Sequence, residues 1–494
     1  MAKRQFIWVM TDTTGYNMVG CYGSAIQTPN IDDMAQRGIR FHRAYTCQPV
    51  CAPARSAMFT GMYPHSNGCW GNSMPLGADV KTIGQRLSAQ GIRCAFIGKW
   101  HLDAGDYFGN GICPQGWDAK YWYDMKRYLD ELTQEERLLS RDASSSDRNI
   151  PESFTYGYRV TQRALAFLEQ YQNEDFFLVV SYDEPHGPSL APEPFASMYG
   201  KGVVAQSTPA WDDPLEEKPG LQRLWAEDAN GLSLNKRTRG IHSRLAACNT
   251  FIDGQIGRVM QKARTLAPDS VRMFTSDHGE ASHAHGLSGK GPAVYDEIAR
   301  VPLIFEGGCI AKGAVYPNVV SQIDLAATVL DCMGLEKPVG LQGNTLLPVL
   351  KDPAMETTRF VFIEFNRYEI DHDGFGGFQP MRAVITNEYK LAIHLLDGDE
   401  LYDTRSDPFD LHNLIRDPVH ASTRDQLHDE ILAWMNRTRD PFRGYQWRCR
   451  AWRDHSNLLW RVDGYTRQRD NEPGEPRQLD YNTGLAMVHA TRKK

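Results

Sequence analysis

QFIWVMTD, residues 5–12, decides the architecture. Gln5 to Met10 is a short apolar strand that runs straight into Asp12. Working outward, the pattern returns at Arg93 to Ile97, Phe176 to Tyr182, Val271 to Ser276 and Val301 to Phe305. Longer stretches of helical period lie between these strands. Val160, Ala164, Phe167, Leu168 and Tyr171 form one apolar stripe, and Leu245, Cys248, Ile252, Ile256 and Val259 form another. A further helix is expected from Pro29, with Thr28 as its cap, Pro29 in its first turn and Gly38 just past its end. Strands alternating with such helices predict an α/β fold, a large, mostly parallel sheet sandwiched by helices.

The alternation stops near Gly334, which ends a helix expected from Ser321 to Met333. The proline-containing stretch from Lys337 to Pro353 reads as a linker. Strand-like segments then follow closely at Phe360 to Phe365, Met381 to Thr386, Tyr389 to Leu396 and Glu400 to Tyr402, before a helix around Thr423 to Met435. That order predicts a smaller antiparallel sheet backed by a helix. The expected organisation is a large α/β domain at 1–353, a C-terminal α+β subdomain at 354–438, and a tail at 439–494 packing on the body.

Composition narrows the function. The 494 residues include 54 Lys and Arg against 61 Asp and Glu, a formal charge of -7, so no global positive field gathers nucleic acid and an anionic substrate must be captured locally. The ten cysteines are irregularly spaced, without a paired zinc pattern or the density of a secreted disulfide scaffold, and most are expected as buried thiols. The first apolar run, Phe6 to Met10, is too short for a signal-peptide core and no later stretch approaches a membrane span. A soluble, cytoplasmic protein with no membrane or nucleic-acid partner is expected.

In open parallel sheets ligands bind beyond the carboxyl ends of the strands. Here those ends carry Asp12, then Lys99 and His101, then Glu184 and His186, then Asp277 and His278. A single Asp after a strand is commonly a cap or turn former. Four such ends together point to a site. Asp12 and Asp277 supply hard carboxylate oxygens and His278 a nitrogen, a set suited to a divalent cation. If GKWH at 98–101 stays extended, Lys99 and His101 face one side, a fixed cation beside a group that exchanges protons near neutral pH; in isolation they read equally as edge residues. His186 sits in the rigid loop DEPHGP, and Lys290 in the glycine-bracketed GLSGKG, where it either reaches inward or is solvated.

Cys51 opens CAPARSAMFTG, residues 51–61. Pro53 suits the first turn of a helix, which places Cys51 at an amino end where free amides favour negative charge. The residues alone allow a thiolate nucleophile beside Arg55, or a buried thiol.

This stretch resembles the signature of the type I sulfatases of the alkaline phosphatase superfamily: Cys, any residue, Pro, any residue, Arg. The order of Asp12, GKWH, His186, SDHGE at 276–280, Lys290 and ELYDTRSDPFDLHNL near residue 400 fits that family across roughly residues 5 to 415. The resemblance implies an alkaline phosphatase-like fold and oxidation of Cys51 to formylglycine by a maturation enzyme. One hydroxyl of the hydrated aldehyde would attack sulfur and the other would let the sulfated intermediate collapse. It further implies that Arg55 holds the formylglycine, that Asp12, Asp277 and His278 with the modified Cys51 hold the metal, and that Lys99 and Lys290 bind sulfate oxygens. His101 would be the base for collapse and His186 would protonate the leaving oxygen.

Two positions depart from the pattern: Thr13 follows Asp12 where paired acids are common, and His278 replaces the usual Asn. Calcium is the expected metal, with manganese and zinc favoured more than usual by the nitrogen donor. The alternative reading is a phosphonate monoester or phosphodiester hydrolase of the same superfamily, against which the Lys99–His101 pair argues. A sulfated-glycan binding protein without turnover is the third. The expected substrate is a sugar sulfate, with Trp70, Asn72, Asp103, Arg367, His372 and Arg382 as candidate contacts.

Overall fold

Gln5–Thr11 (β1) is buried at every residue, and its side chains divide between two apolar clusters. Phe6, Trp8 and Met10 enter one; Ile7 and Val9 enter the other. Both faces of the strand are therefore covered, which is why its sequence shows no polar alternation. The computed structural model describes residues 3–103, 107–205, 208–229, 239–357, 359–368 and 378–453.

In chain order there follow β2 (Ile39–Tyr45), β3 (Arg93–Gly98), β4 (Phe176–Ser181), the two-residue strands β5 (Val203–Val204) and β6 (Ile241–His242), β7 (Val271–Ser276), β8 (Arg300–Val301), β9 (Leu303–Glu306) and β10 (Ala314–Ser321). The main sheet has the order β10-β2-β9-β7-β1-β4-β3, with β8 on β2. β1 pairs in parallel with β4 and β7, and β3 with β4, whereas β9 is antiparallel to β2 and β7. The sheet is mostly parallel, as expected.

β2 and β10 were not expected from the sequence. β2 carries Arg40, His42 and Arg43 at partly exposed positions, which breaks its apolar pattern. β10 is an edge strand whose register shifts between Tyr316 and Val319 around Pro317, a residue tolerated only at such an edge or bulge. The Pro29–Arg37 helix begins and ends as expected, but Thr28 does not cap it; its hydroxyl joins the Gly20 amide to Asp32 instead. Gly38 follows because a Cβ there would lie 1.9 Å from the Phe305 carbonyl oxygen. The two apolar stripes lie on the Tyr156–Tyr171 and Ser243–Leu266 helices, which share one core cluster, with Leu245 only half-buried.

The stretch from Lys337 to Pro353 is not a free linker. Leu341, Leu346, Val349 and Leu350 enter the principal core with Met58 and Phe59, and Leu347–Lys351 is helical. Beyond it, β11 (Val361–Phe365), β12 (Met381–Ile385), β13 (Tyr389–His394) and β14 (Glu400–Asp403) form an antiparallel sheet in that order. The Ala421–Arg437 helix packs against it. Met1–Trp447 is one compact unit, so Asp440 and buried Trp447 belong with the body; residues 454–494 of the expected tail lie outside the described residues. Among the described residues no helix is long and apolar enough to cross a membrane.

Candidate active site

β7, β1, β4 and β3 are consecutive in the sheet, and just beyond their carboxyl ends stand Asp277 and His278, Asp12, Asp183, and Lys99. The Cys51–Thr60 helix brings its first residue to the same point, with every one of its ten residues buried. Val50 offers no side-chain cap, and the first turn is instead satisfied from a distance: Asn72 Oδ1 accepts from the Ala52 amide at 3.0 Å. Arg55 follows one turn along, on the same helix face as Cys51.

Arg55 ties the strand ends together. Nε donates to Asp277 Oδ2 at 2.9 Å, Nη2 to Asp12 Oδ2 at 3.1 Å, and Nη1 to the Lys99 carbonyl at 2.6 Å and Ser181 Oγ at 2.9 Å. These hydrogen bonds hold the carboxylates, and its influence on Cys51 is one of charge. The two acids keep their other oxygens for the space between them. Asp12 Oδ1 accepts from Thr13 Oγ1 at 2.7 Å, and Asp277 Oδ1 from the amides of Thr13 at 3.1 Å and His278 at 2.9 Å. Thr13, where the family often has an acid, is β-branched yet left-handed at φ 70, a strained backbone held by bonds to both carboxylates.

His278 Nδ1 lies 2.8 Å from the Gly279 carbonyl, which can only accept, so Nδ1 carries a proton and Nε2 is the atom left to hold a cation. Burial opposes a charge on the ring but, without a cation, the Asp277 charge outweighs it and raises the ring above the usual histidine range. Nε2 is 3.7 Å from Asp12 Oδ1 and from Asp277 Oδ1, and 3.2 Å from Cys51 Sγ. Ligand atoms of Asp12, Cys51, Asp277 and His278 all lie within 4.8 Å of one another. A divalent cation with ligand bonds of about 2.0–2.6 Å spans that spacing, so the donor set fits one. Electrostatics agrees: burial, with the neighbouring Asp12 charge, pushes Asp277 up to about 6, a penalty that a cation would relieve.

Lys290 Nζ lies 2.7 Å from Cys51 Sγ and 2.9 Å from His278 Nε2. Burial and Asp12 push the Cys51 thiol up, but Lys290, Lys99 and His278 outweigh them and bring it down to about 5. Lys99 Nζ pairs with Asp12 Oδ2 at 2.7 Å and Asp183 Oδ1 at 2.9 Å, and sits 3.9 Å above the Tyr107 ring. The close approach of β3 and β4 here requires Gly98, because a Cβ would meet the Ser181 carbonyl oxygen at 1.8 Å.

The chain does not stay extended through GKWH. β3 ends at Gly98, and His101 is left-handed at φ 58. His101 still returns to the site, buried, its ring 5.4 Å from that of Tyr107 and its Nδ1 without a hydrogen-bond partner among the described residues. Burial, with the cations Lys99 and Arg55, holds it well below the usual histidine range. His186 places Nδ1 2.9 Å from the Tyr107 hydroxyl, and burial, with Lys99, brings it down to about 4.

Two residues at the site escape the sequence reading. Of the acids in DEPHGP, Glu184 turns away: its Oε1 accepts from the Gly157 amide at 2.7 Å, and burial, with Asp183, pushes it up to about 7. Asp183 takes the site-facing place. Strand parity could have found it, since Ser181 two residues before already faces Arg55. Tyr107 carries no comparable signal.

The expected substrate contacts separate. Trp70 is half-buried, edge-on to Phe442 with ring centroids 5.7 Å apart, and Asn72 is committed to the Cys51 helix. Asp103 accepts from the Asn110 amide at 3.2 Å. Arg367 adjoins Tyr368, which is near enough to Lys290 to act on its charge, so that turn borders the site. His372 lies outside the described residues. Arg382 is not brought to the site: it is fully buried, bound to Asp440 at 2.6 and 3.1 Å and to the Phe365 and Met381 carbonyls.

The sulfatase family model matches residues 4–335, and a model described as N-sulphoglucosamine sulphohydrolase, C-terminal, matches residues 284–437. The chain is 44% identical over 497 residues to a protein of Escherichia coli (strain K12) described as uncharacterized sulfatase YidJ, covering 98% of this chain and 97% of that one. It is 26% identical to an N-acetylglucosamine-6-O-sulfatase of Bacteroides thetaiotaomicron, covering 86% of this chain and 85% of the relative. A phosphonate monoester hydrolase of Agrobacterium radiobacter shares the fold, with a TM-score of 0.70 at 22% identity over 88% of this chain and 96% of that one. Cys51, its charged neighbours and the four strand ends thus lie within a family match spanning most of the molecule: the chain belongs to the sulfatase family and is a sulfuric ester hydrolase.

Proposed function

We propose that the protein hydrolyses a sulfate monoester of a carbohydrate, with Cys51 in its formylglycine form and a divalent cation held by Asp12, Asp277 and His278. The observation that carries this reading is the position of Cys51 Sγ, 2.7 Å from Lys290 Nζ and 3.2 Å from His278 Nε2 at the start of a buried helix. When present, hydrated formylglycine supplies one hydroxyl to attack sulfur and a second whose ionisation releases sulfate. The cation supplies Lewis acidity toward the sulfate oxygens. By resemblance it is calcium; the nitrogen donor makes manganese and zinc its competitors, and metal analysis of the purified protein distinguishes them.

The chain's own residues supply the rest. Asp12, Asp183 and Asp277 oppose Arg55, Lys99 and Lys290, three carboxylates against three cations. A divalent cation then leaves an excess of two positive charges, which favours an anionic ester in a buried place. Lys99 and Lys290 bind the sulfate oxygens, His101 accepts a proton for product release, and His186 gives one to the leaving oxygen. Arg55 fixes the two carboxylates from which the cation hangs. A maturation enzyme that oxidises Cys51 is the implied partner. The sugar is inferred from the relative that acts on N-acetylglucosamine 6-O-sulfate.

Because a phosphonate monoester hydrolase shares the fold, the deciding experiment compares kcat/KM for nitrophenyl sulfate, a phenylphosphonate monoester and a phosphodiester. Sulfate is expected to be fastest, and a preference for either phosphorus ester overturns the reading. Position-defined sulfated monosaccharides and short glycosaminoglycan fragments then identify the sugar; binding without desulfation would make the protein a glycan-binding one.

A further inference from the structure

Tyr107 stands among four residues of the site. Its hydroxyl is hydrogen-bonded to Asp183 Oδ1 and lies 2.9 Å from His186 Nδ1. Its ring carries Lys99 Nζ 3.9 Å from the centroid, meets the His101 ring edge-on at 5.4 Å, and lies 5.2 Å from the His186 ring. Arg141 is also within 5.5 Å of it.

The direction of each hydrogen bond follows from the charges. Asp183 is ion-paired with Lys99 at 2.9 Å, so its carboxylate is ionised and can only accept. The Tyr107 O–H therefore donates to Asp183, and the lone pairs left on that oxygen face His186 Nδ1. Nδ1 must donate, to Tyr107 or to the Gly187 carbonyl at 3.1 Å, both of which accept. Neutral His186 accordingly has Nδ1 protonated and Nε2 bare.

We propose that Tyr107 is a positioning residue for leaving-group protonation, holding His186 by Nδ1 so that Nε2 is the atom that carries the transferred proton. This rests on the assignment of His186 as the acid. For transfer the ring must bear protons on both nitrogens. Nε2–H passes to the ester oxygen as the S–O bond breaks and its electron pair moves to that oxygen; the neutral ring keeps Nδ1–H, shared between the Tyr107 hydroxyl and the Gly187 carbonyl, and solvent restores the Nε2 proton. Burial and Lys99 oppose the doubly protonated ring, and the carboxylate that reaches it through the Tyr107 hydroxyl is Asp183. The phenol thus transmits the Asp183 charge without ionising.

The test uses leaving-group dependence, which a merely structural role would not change. Tyr107→Phe keeps the ring beneath Lys99 and removes only the hydroxyl. Alkyl and sugar sulfates, whose alkoxide needs the proton, should lose about 10²-fold in kcat, while 4-nitrophenyl sulfate should lose less than about 3-fold, with KM steady for both. His186→Ala should show the same split, larger. Equal losses on both substrates in Tyr107→Phe, with a split in His186→Ala, would overturn the role of Tyr107 alone. No split in His186→Ala would overturn the acid assignment beneath it. The wild-type enzyme gives a check independent of variant folding: ¹⁵N-histidine spectra, with His186 assigned by its absence in His186→Gln, should show Nδ1 protonated, and the Nε2–H tautomer would refute the proposal.

Discussion

Each of the two larger sheets buries an arginine completely, and the two are bound by nearly the same chemistry. Arg55 serves two carboxylates, a hydroxyl and a carbonyl at the end of the main sheet; Arg382, on β12, serves one carboxylate, an amide oxygen and two carbonyls. Only what the carboxylates do next differs. Asp12 and Asp277 each turn a second oxygen toward His278 and the Cys51 side of the site, whereas both oxygens of Asp440 are taken by Arg382, with the Phe442 amide as a further donor. Burial and pairing are common to structure and catalysis. An oxygen kept off the arginine and set beside His278 distinguishes them.

The largest expected effect removes the side chain beside which those oxygens stand. Cys51→Ala should lose at least about 10⁴-fold in kcat while keeping its fold, and turnover at the wild-type rate would place the nucleophile elsewhere. Cys51→Ser should transfer sulfate once and stop, visible as a persistent sulfated peptide by mass spectrometry.

The arginines themselves come next. Replacing either with Ala strands buried carboxylate and should destabilise the protein by about 3–5 kcal/mol in denaturant titrations. Arg55→Ala should in addition be inactive, while Arg382→Ala, assayed well below its lowered melting point, should keep kcat/KM within a few-fold. Equal inactivation would erase the contrast.

Glu184 supplies the unpaired case. Its Oε2 has no hydrogen-bond partner among the described residues, and burial holds the carboxyl near 7. A raised folded value means its stabilising share is complete below the unfolded value and is lost as pH rises through the folded one. Glu184→Gln should therefore match the wild type near pH 4 and exceed its stability above about pH 7 by on the order of 1–3 kcal/mol. A constant difference across that range would mean the carboxyl is solvated after all. Smallest is Trp70→Ala, expected to raise KM for sugar sulfates a few-fold without changing kcat, in line with about 1 kcal/mol for an aromatic contact.

Much of this was legible in the chain because β1, β4 and β7 are apolar enough to announce themselves, and their ends then mark Asp12, His186, Asp277 and His278. β2 and β10 hid behind half-exposed arginines and a proline. Local chemistry could not tell Arg382 from a substrate-binding arginine, since its partner Asp440 lies 58 residues away. Choosing Asp183 over Glu184 needed the face on which Ser181 stands, which parity then carries two residues on. Tyr107 has no periodic neighbours at all; only the fold brings it to His186.

The complete burial of the Cys51–Thr60 helix, Cys51 itself being 1% exposed, has a consequence in time. A second protein that must grip this segment to rewrite its sulfur cannot reach it once the helix has docked and Arg55 has riveted it to the strand ends. On the formylglycine reading proposed above, the chemical identity of residue 51 has therefore to be settled before the chain folds. A culture that synthesises faster than it modifies should yield two superposable populations, one competent and one inert, and later treatment of the folded protein with the modifying enzyme should not convert the second into the first.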